Sequence, residues 1–300
     1  MKKTNKSRND IGFYVNPKHA DLERHFSWLH DHGIRCIGGP CHPETDEVLR
    51  RMDRLMEKYE MRMASLHHGA PQLLSPDGDD DRLRPGYAML FERAKRWNAG
   101  AVVIHFRSLE QPWRDGIWWA ETDYITRIGV KEYDRRQGRM LKWICGKIAK
   151  SNTVIALENL PQRWPYSYDA AEIAETVRGY KIPNLGVCFD SGHANLGDIN
   201  PVQAVSSLGK TLVTTHLHDN FGWTGPRSSH LATDLHLVPG LGTIDWRAML
   251  LAFRKIGYKG PYIFEGPNLP GETEEEKIWG LTLQNWAAFE TLADKAAESS

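Results

Sequence analysis

The sequence predicts a single α/β domain with the architecture of a (β/α)8 barrel. Short apolar or β-branched segments alternate with amphipathic segments of helical periodicity eight times along the 300 residues. This alternation is typical of right-handed βαβ units built around a parallel sheet. Eight units over this length favour a closed barrel over an open doubly wound sheet. The sequence has neither a GxGxxG turn after its first predicted strand nor a P-loop motif, so nucleotide-binding loops are not indicated.

The predicted strands are short and rich in apolar and β-branched residues, and several end on a polar residue. They comprise residues 11–15, 34–38, 61–66, 101–105, 153–158, 185–190, 212–218 and 261–266. The predicted helices between and after them comprise residues 20–33, 45–60, 84–100, 131–150, 168–180, 200–210, 244–258 and 272–297. The polar N-terminal residues 1–10 are predicted to form a disordered tail, which leaves residues 11–300 as the barrel domain.

Composition narrows the class of protein. The chain is 41% hydrophobic and 25% charged, which is ordinary for a globular protein with a sizeable core. Lysine plus arginine and aspartate plus glutamate both number 38, so the basic excess typical of nucleic-acid binders is absent and no nucleic-acid partner is expected. No signal peptide and no apolar run of membrane-spanning length is recognised, so we expect a cytoplasmic protein without a membrane partner.

The four cysteines do not predict a metal site. Cys36 and Cys41 lie close together, but no second pair accompanies them, as a structural zinc site would require. Cys145 falls in a predicted helix and Cys188 in a predicted strand. All four are therefore expected to be free, buried thiols.

Polar residues stand at the C-terminal ends of six predicted strands. They are His67 or His68, His105, Glu158, Asp190, His216 and Glu265. In a parallel barrel these ends converge on one rim, where the active sites of this architecture are found. Carboxylates and imidazoles are ligands of divalent cations, and their convergence without a cation costs free energy through repulsion and desolvation. The sequence therefore predicts a divalent metal site at this rim.

Two further segments add polar residues to the same rim. His193 follows Asp190 by three positions, and Gly192 between them is expected to let the chain turn close to the rim. After the seventh strand, Asp234 and His236 alternate with apolar residues, so their side chains are expected to point the same way. Each residue alone has a simpler interpretation as a surface histidine, a helix cap or a turn, but six strand ends together favour the metal site.

Several motifs together resemble a known group of barrels. The segments ALENLP, GVCFDSGHANL, THLHDN, DLHLVPGLGTIDW and YIFEG, in this order, are similar to those of the xylose isomerase-like TIM barrel superfamily. That superfamily includes sugar and sugar-phosphate isomerases and epimerases and, as a distant branch, endonuclease IV. The resemblance extends from about residue 11 to residue 290. SLH ahead of LLSPD also resembles the third strand of the group, which favours His67 over His68 as the rim residue.

The resemblance implies roles for these residues. Four of them would be the ligands of a single Mn, Mg, Co or Zn ion: Glu158, Asp190, His216 and Glu265. His193 and His236 would contact substrate hydroxyls or a second ion. His67, His105 and Asp234 are similar to positions that hold further zinc ions in the endonuclease branch, so the number of metal ions stays open at this point.

The leading functional hypothesis is a metal-dependent isomerase or epimerase acting on a small sugar, sugar derivative or keto-polyol. The cation would chelate a carbonyl and its neighbouring hydroxyl. Glu158 and Glu265 would exchange protons with the substrate through an enediolate. Arg107, Trp113 and Trp118 follow the fourth strand and are candidates for substrate contacts, because indole faces suit sugar C–H groups and arginine suits a phosphate or carboxylate. A packed lid or a subunit contact explains them equally well, and the resemblance implies a homo-oligomer.

Three alternatives stay open. A dehydratase or lyase acting on a keto-polyol would use the same proton abstraction followed by loss of water. A metal-dependent phosphodiester hydrolase resembling endonuclease IV would use the additional histidines and Asp234 to hold a multi-zinc cluster. A barrel that binds a ligand without catalysis is the third.

Overall fold

Eight parallel strands form one sheet in the computed structural model, which describes residues 9–68, 73–75, 77–105, 125–161, 168–223 and 233–298. The strands are β1 (Ile11–Tyr14), β2 (Cys36–Pro40), β3 (Arg62–His68), β4 (Ala101–His105), β5 (Val154–Glu158), β6 (Leu185–Asp190), β7 (Leu212–His216) and β8 (Tyr262–Phe264). Their spatial order is β7-β6-β5-β4-β3-β2-β1-β8. Where β7 meets β8, the amide of Leu217 donates to the carbonyl of Ile263 at 2.8 Å. The predicted (β/α)8 barrel is therefore confirmed.

Helices alternate with these strands along the chain. They are α1 (Leu22–Asp31), α2 (Asp46–Lys58), α3 (Ala88–Arg96), α4 (Val130–Ile148), α5 (Ala170–Tyr180), α6 (Ser191–Leu196), α7 (Pro201–Leu208), α8 (Trp246–Lys255) and α9 (Glu275–Glu298). Two 3₁₀ segments, Asp80–Tyr87 and Gly209–Thr211, precede α3 and β7. In the part of the chain that the structure describes, no helix has the length and apolar character that a bilayer span requires.

Local sequence explains where several helices begin. The side chain of Asn200 accepts hydrogen bonds from the amides of Val202 (3.0 Å) and Gln203 (3.2 Å), and Pro201 follows it at the first helical position of α7. Asp245 caps α8 in the same way by accepting from the amide of Ala248 at 2.9 Å. Such side-chain acceptors satisfy amides that have no partner within the helix.

The structure differs from the prediction in two helical segments. The helix predicted from residue 84 begins only at Ala88, because residues Asp80–Tyr87 form a 3₁₀ segment that contains Pro85. Proline has no N–H to donate within a helix. The second difference is α6, a short helix that directly follows β6 and contains the predicted turn residue Gly192.

Most of the predicted N-terminal tail lies outside the described residues. Residues 1–8 of the predicted tail lie outside the described residues, and the boundary at residue 10 stays a prediction. Asn9 donates hydrogen bonds to the carbonyls of Tyr258 (3.1 Å) and Gly260 (2.7 Å), and the amide of Tyr262 donates to the carbonyl of Asp10 at 2.8 Å. These last residues before β1 therefore contact the end of the barrel near β8.

All four cysteines are free and buried, as predicted. Cys36 and Cys188 point into small clusters in the sheet interior, and Cys145 packs into the main helix-facing core. Burial raises the pKa of the Cys36 and Cys188 thiols to about 12. These thiols therefore remain protonated at neutral pH.

Strand register brings the polar strand ends together. His105 on β4 pairs with Glu158 on β5, and Asp190 on β6 pairs with His216 on β7. Because all eight strands run in the same direction, both pairs lie at the same end of the barrel. Below them the barrel interior is filled by small residues and by the ring of Tyr14, which packs against Cys36, Ala64 and Ile263.

The ring of Tyr14 leaves no space for a side chain at position 38, which is therefore occupied by glycine. A Cβ atom on Gly38 would lie 2.5 Å from Cδ2 of Tyr14, whereas a Cβ atom on the exposed helical Gly146 would contact nothing within 4 Å. We predict that Gly38→Ala lowers the free energy of unfolding by about 1–3 kcal/mol through overpacking. The matched control Gly146→Ala should raise it by about 0.5–1 kcal/mol, because alanine is the better helix former. Guanidinium unfolding of both variants measures the difference, and equal stabilities would contradict this description of the barrel interior.

Candidate active site

One end of the barrel gathers four carboxylates and six imidazoles. The group contains all the sequence-predicted site residues that the structure describes, together with His218. We divide it into a first cluster and a second cluster. The first cluster comprises His67, His105, Glu158, His216 and Glu265. The second cluster comprises Asp190, His193, His218, Asp234 and His236.

In the first cluster, Glu158 lies at the centre of three imidazoles. Its Oε1 atom is 2.8 Å from Nδ1 of His216, and its Oε2 atom is 3.2 Å from Nε2 of His67 and 3.3 Å from Nε2 of His105. Nε2 of His67 and Nε2 of His105 are themselves 2.8 Å apart. Donor atoms around a tetrahedral ion with bonds of about 2.0–2.1 Å are expected about 3.3 Å from each other. The spacing of these atoms therefore suits a shared cation.

Glu265 contacts two of the same imidazoles from β8. Its Oε1 atom is 2.8 Å from Nδ1 of His67, and its Oε2 atom is 3.1 Å from Nδ1 of His216. His67, rather than His68, therefore occupies the site, whereas Nδ1 of His68 lies 3.2 Å from the carbonyl oxygen of Cys41. The two glutamates share His67 and His216 as neighbours, so both carboxylates border the same position.

Burial and ion pairing set the charge states of the first cluster. Burial alone raises the pKa of Glu158, but His216 and His67 outweigh this effect and hold the pKa well below its usual value. The same two imidazoles outweigh the burial of Glu265 and lower its pKa. Burial lowers the pKa of His67, but Glu158 and Glu265 outweigh it and raise that pKa to about 9. Both glutamates are therefore ionised, as metal ligands and general bases must be.

In the second cluster, the Nε2 atoms of two histidines both point at the carboxylate of Asp234. Nε2 of His193 is 3.1 Å and Nε2 of His236 is 3.3 Å from Oδ2 of Asp234. Each ring donates its Nδ1–H to a backbone carbonyl, that of Asn159 (2.8 Å) for His193 and that of Glu265 (2.7 Å) for His236. A hydrogen bond from the other ring nitrogen commonly fixes the tautomer and orientation of a metal-binding histidine. This arrangement leaves Nε2 of each ring available to a cation.

Asp190 connects the second cluster to the strands. Its Oδ1 atom accepts from the amide of His193 at 2.7 Å and so caps α6. Its own amide donates to Oδ1 of Asn159 at 2.8 Å, and its carbonyl accepts from Nδ2 of Asn159 at 2.9 Å. This paired contact explains why Asn159 directly follows the central Glu158.

The segment that carries Asp234 and His236 is held by buried hydrogen bonds. Leu237 exchanges two backbone hydrogen bonds of 2.8 Å with Asp219, and the amide of Asn268 donates to the carbonyl of His236 at 2.6 Å. The Asp219 carboxylate is fully buried and accepts from the amides of Gly240 (2.9 Å) and Ile244 (3.3 Å) and from Nε1 of Trp246 (2.8 Å). His236 adopts φ +48°, an unfavourable conformation for a residue with a side chain, which these bonds stabilise.

Sequence reasoning missed His218 and misassigned the role of Gly192. His218 is fully buried, and its ring lies parallel to that of His236 with centroids 3.8 Å apart. The alternation of His216 and His218 in THLHDN was the available signal. Gly192 is helical rather than a turn residue, and a Cβ atom there would lie 2.0 Å from Cε1 of His218. Glycine is therefore needed here for close packing.

Several predicted substrate contacts lie outside the described residues. They are Arg107, Trp113 and Trp118. Their roles stay predictions.

The donor set fits a divalent cation. Several groups of three His, Cys, Asp or Glu side chains bring their ligand atoms within 4.8 Å of one another, including His67–His105–Glu158 and His67–His216–Glu265. Oε2 of Glu158, Nε2 of His216, Nδ1 of His218 and Oδ1 of Asp234 are buried and lack a hydrogen bond among the described residues. Buried polar atoms normally have partners, so their clustering supports ligand binding at this rim.

A (β/α)8 barrel with carboxylates and imidazoles collected at the C-terminal ends of its strands defines the class of this protein. The chain belongs to the xylose isomerase-like TIM barrel family, which matches residues 26–287. An uncharacterized protein of Methanocaldococcus jannaschii is 31% identical over 254 residues, which cover 82% of this chain and 77% of that protein. An uncharacterized protein of Sinorhizobium fredii is 34% identical over 116 residues, which cover 39% of this chain and only 34% of that protein.

Solved structures share the fold at low sequence identity. A D-tagatose 3-epimerase-like protein has a TM-score of 0.70 at 22% identity, and the match covers 95% of this chain and 99% of that one. An L-ribulose 3-epimerase has a TM-score of 0.71 at 15% identity, with 98% of both chains covered. A D-psicose 3-epimerase has a TM-score of 0.70 at 15% identity and covers 95% of this chain and 99% of its own.

We predict that Asp219→Asn destabilises the protein. One carboxylate oxygen would become an NH2 group, which cannot accept hydrogen bonds from the N–H groups of Gly240, Ile244 and Trp246. The free energy of unfolding should fall by at least about 2 kcal/mol, since each unsatisfied buried group costs about 1–3 kcal/mol. Guanidinium unfolding measures the effect. Asp31→Asn is the control, because it removes the same charge from a side chain that is 70% exposed. A decrease in the free energy of unfolding no larger than that of the control would contradict the stabilising role of the Asp219 hydrogen bonds.

Proposed function

We propose that this protein is a divalent-cation-dependent isomerase or epimerase of a small sugar, sugar derivative or keto-polyol. The observation that carries the proposal is the sharing of His67 and His216 by Glu158 and Glu265. Two ionised carboxylates that contact the same two imidazoles suit a reaction that removes a proton from carbon and returns it elsewhere. Family membership and the structural similarity to a D-psicose 3-epimerase and an L-ribulose 3-epimerase support the same reaction class.

Four residues would hold the principal cation: Glu158, Asp190, His216 and Glu265. Their oxygen and imidazole donors suit Mn, Mg, Co or Zn. A bound cation would supply Lewis-acid polarisation of a substrate carbonyl and a template for its neighbouring hydroxyl.

The two glutamates would carry the protons. One accepts the proton from the carbon beside the carbonyl, which leaves an enediolate on the substrate. The other returns a proton, to the opposite face in an epimerase or to the neighbouring carbon in an isomerase. Nε2 of His193 and Nε2 of His236 face the same end of the barrel and suit hydrogen bonds to substrate hydroxyls. Both carboxylates are needed in their ionised form, because cation ligands and general bases must be deprotonated.

A phosphodiester hydrolase is the second candidate, because the site also collects His67, His105, His193, Asp234 and His236 in positions that suit further cations. Several cations together would activate water for attack on phosphorus. The zero net charge gives this candidate weaker support, since a protein that grips a nucleic-acid backbone usually carries a basic excess.

Elemental analysis separates the two candidates. For full-length protein purified without chelator, we expect about one Mn, Mg, Co or Zn ion per chain if the protein is the sugar enzyme. Three zinc ions per chain would favour the hydrolase. The variant Asp190→Asn should lose metal occupancy at the principal site. The control is Glu57→Asn, a change of an exposed residue on α2, which should retain the metal occupancy of the wild type.

Proton transfer is tested by the incorporation of solvent deuterium into a panel of ketoses and keto-polyols. We predict that Glu158→Gln and Glu265→Gln each lower exchange and turnover by about 10²–10⁴-fold, the range that general acid–base catalysis contributes. Glu57→Gln, which changes an exposed glutamate, is the matched control. Exchange without an epimer or isomer, but with loss of water, would indicate the dehydratase. Retained turnover in both active-site variants would exclude this mechanism.

A further inference from the structure

His218 belongs to the second cluster and also approaches the first, because one of its ring nitrogens lies within 4.8 Å of a carboxylate oxygen of Glu265. Its Nε2 atom is 3.0 Å from Oδ1 and 3.1 Å from Oδ2 of Asp190, a proposed ligand of the principal cation. Its ring face lies against His236, and its Nδ1 atom is 3.7 Å from Oδ1 of Asp234. A substitution of His218 therefore alters the surroundings of Asp190 and of His236.

The contact with Asp190 fixes the orientation of that carboxylate. The amide of His193 already donates to Oδ1 of Asp190 at 2.7 Å, on one side of the carboxylate. Nε2 of His218 approaches both oxygens from the strand β7 side. Together the two donors fix the orientation of the Asp190 carboxylate.

The contact with His236 fixes an imidazole plane. The two rings are parallel within 4°, with centroids 3.8 Å apart. Nδ1 of His236 is held by the carbonyl of Glu265, so the hydrogen bond restrains one edge of that ring and the stack restrains its face. Nε2 of His236 is thereby directed at Asp234.

Packing alone does not explain an imidazole at this position. His218 is fully buried, and its Nδ1 atom lacks a hydrogen bond among the described residues, which an apolar side chain would avoid. The neighbouring helix also makes room for the ring by placing Gly192 against it. The chain therefore accommodates the polar ring at the expense of a side chain at position 192.

We propose that His218 is a positioning residue that orients two members of the second cluster, Asp190 through Nε2 and His236 through its ring face. The inference rests on the proposed function only in that the rim binds a divalent cation. Partners that orient metal ligands commonly affect metal affinity by about 10–100-fold. We expect an effect of this size for the Asp190 contact.

A matched pair of amide variants tests the Asp190 contact. In His218→Gln the amide nitrogen can reach the place of Nε2, whereas in His218→Asn it reaches only the place of Nδ1. For the full-length protein, we predict that His218→Gln binds Mn²⁺ within about threefold of wild type. We predict that His218→Asn binds Mn²⁺ about 10–100-fold more weakly. Competition with a fluorescent chelator measures both affinities without requiring turnover.

A double-mutant cycle tests whether the effect passes through Asp190. In the Asp190→Asn background, His218→Asn should weaken Mn²⁺ binding by less than about threefold, because residues in contact are not additive. Equal affinities of the two amide variants, or full additivity in the cycle, would overturn the inference. Failure of wild type to bind Mn²⁺, Zn²⁺ or Co²⁺ would overturn the proposed metal site together with it, whereas wild-type binding with equal variants overturns the inference alone.

Thermal unfolding in chelator establishes that each variant is folded. If His218→Asn does not fold, Gly192→Ala replaces it, because the added Cβ would displace the His218 ring while leaving its chemistry intact. The expected result is the same loss of Mn²⁺ affinity, and unchanged affinity in folded Gly192→Ala would contradict the positioning role.

Discussion

The fully buried carboxylate of Glu158 is the constraint on which the arrangement of the rim depends. An ionised carboxylate without neighbouring positive charge is very costly in a protein interior. Here His67, His105 and His216 surround it, and each comes from a different strand. The closed barrel makes this possible, because only a sheet that curves back on itself directs the ends of β3, β4, β5 and β7 at one point.

The positions of Asp234 and His236 in the second cluster depend instead on the hydrogen bonds of the buried Asp219. The segment that carries Asp234 and His236 does not belong to a strand of the sheet, so its position is not set by strand register. Asp219 and Asn268 hold this segment between the extensions of β7 and β8, and the strained backbone of His236 is the result. Strain of this kind persists where the surrounding structure over-determines the conformation, and it is concentrated at functional sites. The first cluster is therefore built by the sheet, whereas the second combines Asp190 and His193, at and after the end of β6, with Asp234 and His236 from a connection held by hydrogen bonds.

This difference explains how much could be predicted from sequence. The alternation of strands and helices predicted the barrel, and the polar residues that end apolar strands predicted the first cluster, including Glu158, His216 and Glu265. His218 was missed although it alternates with His216 in the predicted strand 212–218, because only one polar residue was assigned to the end of that strand. The importance of Asp219 was likewise hidden, since an aspartate before an asparagine in a connection is typical of an ordinary turn. The segment that contains the predicted substrate contacts Arg107, Trp113 and Trp118 lies outside the described residues.

The contact between Gly192 and His218 has a consequence for how sequences of this family vary. The two positions are 26 residues apart, yet the space for a side chain at one is occupied by the ring at the other. A histidine at position 218 in this geometry therefore demands glycine at position 192, and a larger residue at 192 demands a smaller or differently directed one at 218. We therefore expect the two positions to vary together in relatives that keep this geometry.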